Sequence, residues 1–182
     1  MELFSQIETE RLIIRKFKAD DWKDIHEYLS VEKVVHFEPY EPFTVEESKE
    51  EAVCRSKNEE FIAVCLKETG KVIGNLYFGK QDYETYELGY VFNYKYWHKG
   101  YACESARALM DYAFKEGKVR RIIASCNPKN ENSWHLLERL KMRREGHLLQ
   151  NIYFKKDAYN NPIWQDTYEY GILASEWEDI KH

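Results

Sequence analysis

Two hydrophobic periods alternate along the chain, and the places where one gives way to the other outline the fold. Arg11-Leu12-Ile13-Ile14-Arg15-Lys16-Phe17 is a short apolar run between charges, which predicts a first strand. Asp20 and Asp21 then favour a helix start, and Trp22, Ile25 and Leu29 recur at helical spacing on one face. From Val31 to Pro42 the apolar Val34-Val35-His36-Phe37 is cut short by Pro39 and Pro42, so this segment reads as a loop or helix end bordering a substrate. Thr44 followed by Glu47 has capping-box spacing, which predicts a helix over 45–57 with a glutamate-rich exposed face. Phe61 to Leu66 and Val72 to Phe78 flank the turn Glu68-Thr69-Gly70-Lys71 as a hairpin, and Tyr86 to Phe92 adds another strand. Three consecutive strands without long crossovers predict an antiparallel meander.

The period then becomes helical. Ala102, Ala106, Leu109, Met110, Ala113 and Phe114 form an apolar stripe that faces a sheet, with Gly117 placed to end the helix. Ile122 to Cys126 is a small buried strand, and the strand, helix, strand succession requires a parallel crossover. Asn127-Pro128-Lys129-Asn130 stops that strand, and Asn132 or Ser133 is positioned to cap a helix whose apolar face carries Trp134, Leu137 and Leu140. Gly146 to Phe154 and Ile163 to Leu173 form a long hairpin around the turn-rich segment Lys155 to Pro162. The resulting expectation is an α/β chain with one mixed, mostly antiparallel sheet, flanking helices and a C-terminal β-hairpin. With no linker or repeat, it reads as a single domain over residues 1–182.

Composition narrows the function classes. At 43% hydrophobic and 32% charged, the chain is globular rather than disordered. A net charge of −5 leaves no basic footprint, which argues against nucleic acid as a partner. The four cysteines Cys54, Cys65, Cys103 and Cys126 are scattered, without a Cys-x-x-Cys pair or clustered histidines, so free thiols in a reducing cytoplasm and no metal are expected. No apolar run approaches the roughly 20 residues that cross a bilayer, and Met1 to Gln6 lacks the basic and apolar regions of a signal peptide. The expectation is a soluble, cytoplasmic protein with no membrane partner.

The chemistry concentrates between Glu87 and Lys115, where a strand, a glycine turn and a helix N-terminus follow one another. Backbone N–H groups at a helix start have no intrahelical partner and the macrodipole adds positive charge, so this junction suits a phosphate. Gly100 and the small Ala102 allow a close backbone approach, and Lys99 offers a further charge-assisted contact.

These residues also carry a resemblance. Ile7-Glu8-Thr9-Glu10-Arg11-Leu12-Ile13-Ile14-Arg15, Glu87-Leu88-Gly89-Tyr90, Tyr96 to Glu104, Pro128 to Ser133 and Glu169 to Leu173 stand in the order and spacing of the GCN5-related N-acetyltransferase (GNAT) superfamily. The chain resembles in particular the branch of the ribosomal-protein N-terminal alanine acetyltransferases. The resemblance implies the GNAT fold with about four helices, acetyl-coenzyme A as acyl donor, and a primary amine as acceptor, either a protein N-terminus or a small molecule. It implies that Leu88, Gly89, Tyr90 and Val91 pair with the pantetheine arm, and that His98, Lys99, Gly100, Tyr101, Ala102 and Cys103 wrap the pyrophosphate. Asn130 and Ser133 fall beside the cofactor, with Ser133 near the sulfur as proton donor to the leaving thiolate. Many superfamily members use a tyrosine from this helix, and the matching position here is Leu137. Glu87 is the matched candidate for a base, because an α-amino or lysine nitrogen must lose its proton before attack.

His36, Glu38 and Tyr40 are candidates for the acceptor side. An acetyl-cysteine route through Cys103 or Cys126 is set aside, because one lies in the phosphate turn and the other in a buried strand. A homodimer is a family habit, with the C-terminal hairpin as its candidate face. The reading from a different class is a non-catalytic coenzyme A sensor on the same fold. Two positions depart from the family pattern: Trp97-His98 stands where Trp-Gly is common, and Lys141-Met142 where Gly-Phe is common.

Overall fold

A computed structural model describes residues 6–180, so the reading of Met1 to Gln6 falls, apart from Gln6, outside the described residues. The first half of the chain contains β1 (Gln6–Glu8), β2 (Leu12–Lys16), α1 (Trp22–Leu29), α2 (Glu32–Val35), α3 (Val45–Lys57), β3 (Phe61–Leu66), β4 (Val72–Lys80) and β5 (Thr85–Phe92). The second half contains α4 (Tyr101–Lys115), β6 (Arg121–Cys126), α5 (Glu131–Arg139), β7 (Arg143–Ile152), β8 (Gln165–Leu173) and α6 (Ala174–Glu178). The strands form one sheet in the order β1-β2-β3-β4-β5-β6-β8-β7, antiparallel throughout except for the β5–β6 pair. The mixed, mostly antiparallel sheet and the long C-terminal hairpin match the expectation.

The expected four helices are α1, α3, α4 and α5; the short α2 and α6 and the three-residue β1 add to them. Thr44 caps α3 as its spacing predicts: its hydroxyl accepts from the Glu47 N–H at 3.2 Å, and a Glu47 carboxylate oxygen accepts from the Thr44 N–H at 2.8 Å. At α4 the left-handed residue after the helix is Lys118, at φ 51°, rather than Gly117.

Apolar residues cover the sheet on both faces. Leu12, Ile73, Leu76, Leu88, Leu109, Met110 and Leu137 belong to one core with α4 and α5. Ile25, Tyr28, Leu29, Ala52, Ala63 and Val72 belong to the other, with α1 and α3. Each fully buried Leu or Ile contributes about 1.5–3 kcal/mol by leaving water, which fixes both layers onto the central strands.

One feature of this sheet positions the site. The parallel strands β5 and β6 pair only at Thr85↔Arg121, Tyr86↔Ile122 and Glu87↔Ile123. Beyond Glu87, β5 continues to Phe92 beside β4 alone, and β6 continues to Cys126 beside β8 alone. The two strands part, and backbone groups of residues 88–92 face a gap instead of a neighbouring strand.

Candidate active site

The gap opens into a cleft of about 1270 Å³ lined by Leu88, Gly89, Tyr90 and Val91, by Ala124 to Cys126 on the opposite strand, and by the turn before α4. The end of β5 is tied to that turn by the Trp97 indole, whose Nε1 donates to the Phe92 carbonyl at 2.8 Å. Gly100, at φ 83°, is the N-cap of α4 in a left-handed conformation that L side chains rarely adopt. His98 is left-handed as well, at φ 59°, which gives a physical reason for the glycine that the family commonly has there. The N–H groups of Tyr101, Ala102 and Cys103 precede the first intrahelical bond, from Glu104 N–H to the Gly100 carbonyl at 3.0 Å. Lys99 does not line the cleft; its Nζ lies 5.3 Å above the Tyr96 ring.

An ion pair from the far end of the sheet holds this turn. The Arg11 guanidinium donates to the Lys99 carbonyl at 2.9 Å and to Glu104 at 2.7 Å, and lies 4.4 Å above the Tyr101 ring. The Thr9 hydroxyl donates to the same Glu104 carboxylate at 2.5 Å. Burial pushes the Glu104 carboxyl up, but the bonds from Thr9 and Arg11 outweigh it and hold the group below its usual range. A fixed carboxylate in the first turn also complements the α4 dipole. The Thr9 to Arg11 motif marked the family resemblance in the sequence, but only the fold reveals that it braces the turn before α4.

On the wall formed by α5, Asn130 rather than Asn132 or Ser133 caps the helix, with its Oδ1 accepting from the Ser133 N–H at 3.3 Å. The Ser133 hydroxyl is therefore not spent on the cap. It lies 3.0 Å from the Tyr90 hydroxyl, which also donates to the Ser133 carbonyl at 2.9 Å. Burial pushes the nearby Cys126 thiol up to about 11, so Cys126 stays protonated and is a poor nucleophile. Leu137 is packed in the core at 1% exposure.

At the opposite end of the cleft, Glu87 and Gly89 lie beside Tyr77; a Cβ on Gly89 would sit 3.3 Å from the Tyr77 Cβ. Burial raises the Glu87 carboxyl above its ordinary value, and Gln81 Nε2 donates to it at 3.4 Å. Glu38 is pushed up to about 7 by burial, which outweighs the opposing pull of Arg55. Tyr40 lines the cleft with it and is raised for the same reason. Arg55, 2% exposed, donates to the partly exposed Glu51 at 2.7 Å and to Asn75 at 2.9 Å, giving this end of the cleft a buried cation that the sequence did not signal. His36 is not brought to the cleft: its side chain is 62% exposed and lies 3.9 Å from Glu32. The C-terminal hairpin contributes Asn151, Ile152 and Phe154, and Lys155 ties its tip to Glu32 at 3.4 Å and Glu41 at 3.2 Å.

Residues 11–143 match the family model described as an acetyltransferase (GNAT) domain. The chain belongs to the GNAT acetyltransferase family. It is 41% identical over 174 residues to the uncharacterized N-acetyltransferase YnaD of Bacillus subtilis (strain 168), covering 94% of this chain and 98% of YnaD. A crystal structure of a GNAT-family acetyltransferase from Bacillus anthracis superposes with a TM-score of 0.87 at 40% identity, covering 94% of this chain and 99% of that one. More distantly, a spermidine N-acetyltransferase from Vibrio cholerae in complex with CoA and spermine shares the fold at 19% identity and a TM-score of 0.76, over 94% of this chain and all of the other.

This GNAT chain is accordingly an acyl-coenzyme A-dependent N-acetyltransferase. Its parted strands leave backbone donors and acceptors free along one wall, and its α4 N-terminus supplies unpaired N–H groups at the end of that wall. An extended amide-containing arm ending in a pyrophosphate fits such a surface.

Proposed function

We propose that the chain acts as a single N-acetyltransferase domain over residues 1–182, moving the acetyl group of acetyl-coenzyme A directly onto a primary amine. The observation that carries this reading is the parting of β5 and β6 beyond Glu87, with Glu87 on one lip of the cleft and Ser133 on the other. Acetyl-coenzyme A supplies an activated thioester. Leu88 to Val91 hold the pantetheine arm by backbone hydrogen bonds, while His98 and Gly100 to Cys103 hold the pyrophosphate, with Asn130 beside the arm. Glu38 and Tyr40 border the acceptor.

A backbone N–H of the strand polarises the thioester carbonyl, and the amine lone pair forms the new C–N bond. Glu87 takes the proton released by nitrogen; its raised carboxyl pKa brings it closer to the task than an exposed glutamate. As the C–S bond breaks, its electron pair leaves on sulfur, and the Ser133 hydroxyl stabilises the departing thiolate by donating a hydrogen bond to it. The proton taken by Glu87 passes to solvent between turnovers, and the thiolate takes one from solvent, so the protons balance.

The acceptor is either a protein N-terminus, as the resembled branch suggests, or a small amine. Glu87 and the ionised fraction of Glu38 suit a group that arrives as a cation, whereas the charge of Glu51 is matched by Arg55. A cytoplasmic location and a homodimer belong to the same reading; the hairpin exposes Leu149, Tyr159 and Trp164 on the face that a second copy would cover. Light scattering reads the dimer, and a monomer at all concentrations would remove it.

The test of the reading is thiol release from acetyl-coenzyme A across a panel of peptides with free N-termini, polyamines and aminoglycosides. Release that depends on one class identifies the acceptor. Binding of coenzyme A without release on any amine would instead identify a sensor.

A further inference from the structure

Tyr90 lies on the strand assigned to the pantetheine arm, yet its side chain has a different destination from its backbone. The ring crosses to α5 and packs on the core there, and the hydroxyl meets the Ser133 carbonyl at 2.9 Å and the Ser133 Oγ at 3.0 Å. A phenol has one proton to give. While that proton points at the carbonyl, the Ser133 proton is drawn to the Tyr90 oxygen or to the Cys126 sulfur, which Ser133 also hydrogen-bonds. When the phenol proton swings to Ser133 Oγ, the serine proton is freed to point at a sulfur beside it. Because the Asn130 cap holds the Ser133 N–H, the serine backbone stays fixed while the two protons rearrange.

We infer that Tyr90 is a positioning residue for the leaving group, donating to Ser133 Oγ so that the Ser133 hydroxyl donates to the departing coenzyme A sulfur. The inference rests on the reading of Ser133 as the group beside the sulfur. It means that a phenol still serves this helix although Leu137 occupies the position where many superfamily members carry one, because β5 delivers it from beneath. Tyr90 keeps its proton throughout: burial raises its pKa, so it acts as a hydrogen-bond donor and not as a proton source. The other groups facing the pair are Cys126 on β6, Tyr170 on β8, and Arg139 on α5. The Cys126 thiol, held up to about 11, titrates above the window tested below.

The test measures thiolate stabilisation directly, without turnover. A free thiol of this kind titrates near about 8.5, and a donor chain that lowers the bound value by about one unit raises coenzyme A affinity about tenfold between pH 6.5 and 9.5. Calorimetric titration of wild type with coenzyme A is expected to show that rise, while desulfo-coenzyme A shows none. Tyr90→Phe, which removes one oxygen and leaves the packing, is expected to bind desulfo-coenzyme A as wild type does and to lose most of the rise with coenzyme A. Ser133→Ala is expected to lose all of it, and the double variant to match Ser133→Ala. In turnover, Tyr90→Phe is expected to lower kcat about tenfold with an unchanged KM for acetyl-coenzyme A.

If Ser133→Ala loses the rise and Tyr90→Phe keeps it, the Tyr90 inference is overturned and the Ser133 reading stands. If Ser133→Ala keeps it, the underlying reading fails and the inference with it. Losses that multiply in the double variant would likewise overturn the inference, because Tyr90 would then act independently of Ser133.

Discussion

The two halves of the cleft are built by different means. The half proposed to hold the donor consists of backbone: one strand that has left its neighbour, a turn in left-handed conformation, and the first N–H groups of α4. The acceptor half consists of side chains contributed by the loop after α2, by α3, by β4 and by the C-terminal hairpin, segments more than 100 residues apart where Lys155 meets Glu32 and Glu41. In the proposed reading the backbone donors recognise a chemical constant, the pantetheine-pyrophosphate arm, while the side-chain walls set the acceptor and can change without touching the donor half.

The largest effects should come from the two proton-handling groups at the junction of the halves. Ser133→Ala should lower kcat about 100-fold in a thiol-release assay with coenzyme A affinity at neutral pH unchanged, and normal turnover would remove its role. Glu87→Gln should lower kcat/KM for the amine by a similar factor. Since a base works only when deprotonated, the wild-type rate should fall with decreasing pH through a value above the ordinary carboxylate range, and the variant should lose that limb. An unshifted pH profile in the variant would point to a water relay instead.

Next in size is a test confined to the donor half. Arg11→Ala unties the phosphate turn from β2 and should raise the KM for acetyl-coenzyme A about tenfold while leaving kcat nearly intact. A change in the amine KM instead would break the division between the halves.

The acceptor half answers through stability. Glu38 has a folded pKa raised to about 7, so the folded state holds its proton more tightly than the unfolded chain does. Its stabilising contribution is full below the unfolded value near about 4.3 and is lost as pH rises through 7, at a cost of roughly 1–3 kcal/mol. Glu38→Gln should therefore raise the melting temperature at pH 8 and leave it almost unchanged at pH 4. Equal shifts at both would mean that burial is not the cause.

The smallest expected effect concerns a departure from the family pattern. Lys141 sits at φ 61° just after α5, at the position where the family pattern the sequence resembles has a glycine. Lys141→Gly should stabilise by about 0.5–1 kcal/mol in denaturant unfolding, by relieving a left-handed side chain.

The same contrast governed what could be read from the residues. The donor half was legible because its signals are local: Gly100, the apolar stripe of α4 and the alternation along β5 each fall within a few residues. The β5–β6 gap was not, since two strands of ordinary composition pair for three residues and then part. Within α5 the spacing located the helix but not its cap, because Asn130, Asn132 and Ser133 are all good capping residues, and only the path of the chain selects Asn130. The Val31 to Thr44 segment was least explicit. Glu38 and Tyr40 reach the cleft and His36 does not, because the short helix α2 turns the histidine outward beside Glu32. Nothing local distinguishes Arg55 within the glutamate-rich sequence of α3, and its burial follows from the packing of α3 against the sheet.

Direct transfer across the junction of the two halves leaves the protein itself unmodified, which intact-mass analysis reads. Incubated with acetyl-coenzyme A alone, the chain should keep its mass. On addition of an accepted amine, free thiol and acetylated amine should appear in equal amounts with the protein still unmodified. A protein heavier by one acetyl group that returns to its original mass when amine is added would contradict the account and place the acetyl group on the enzyme first.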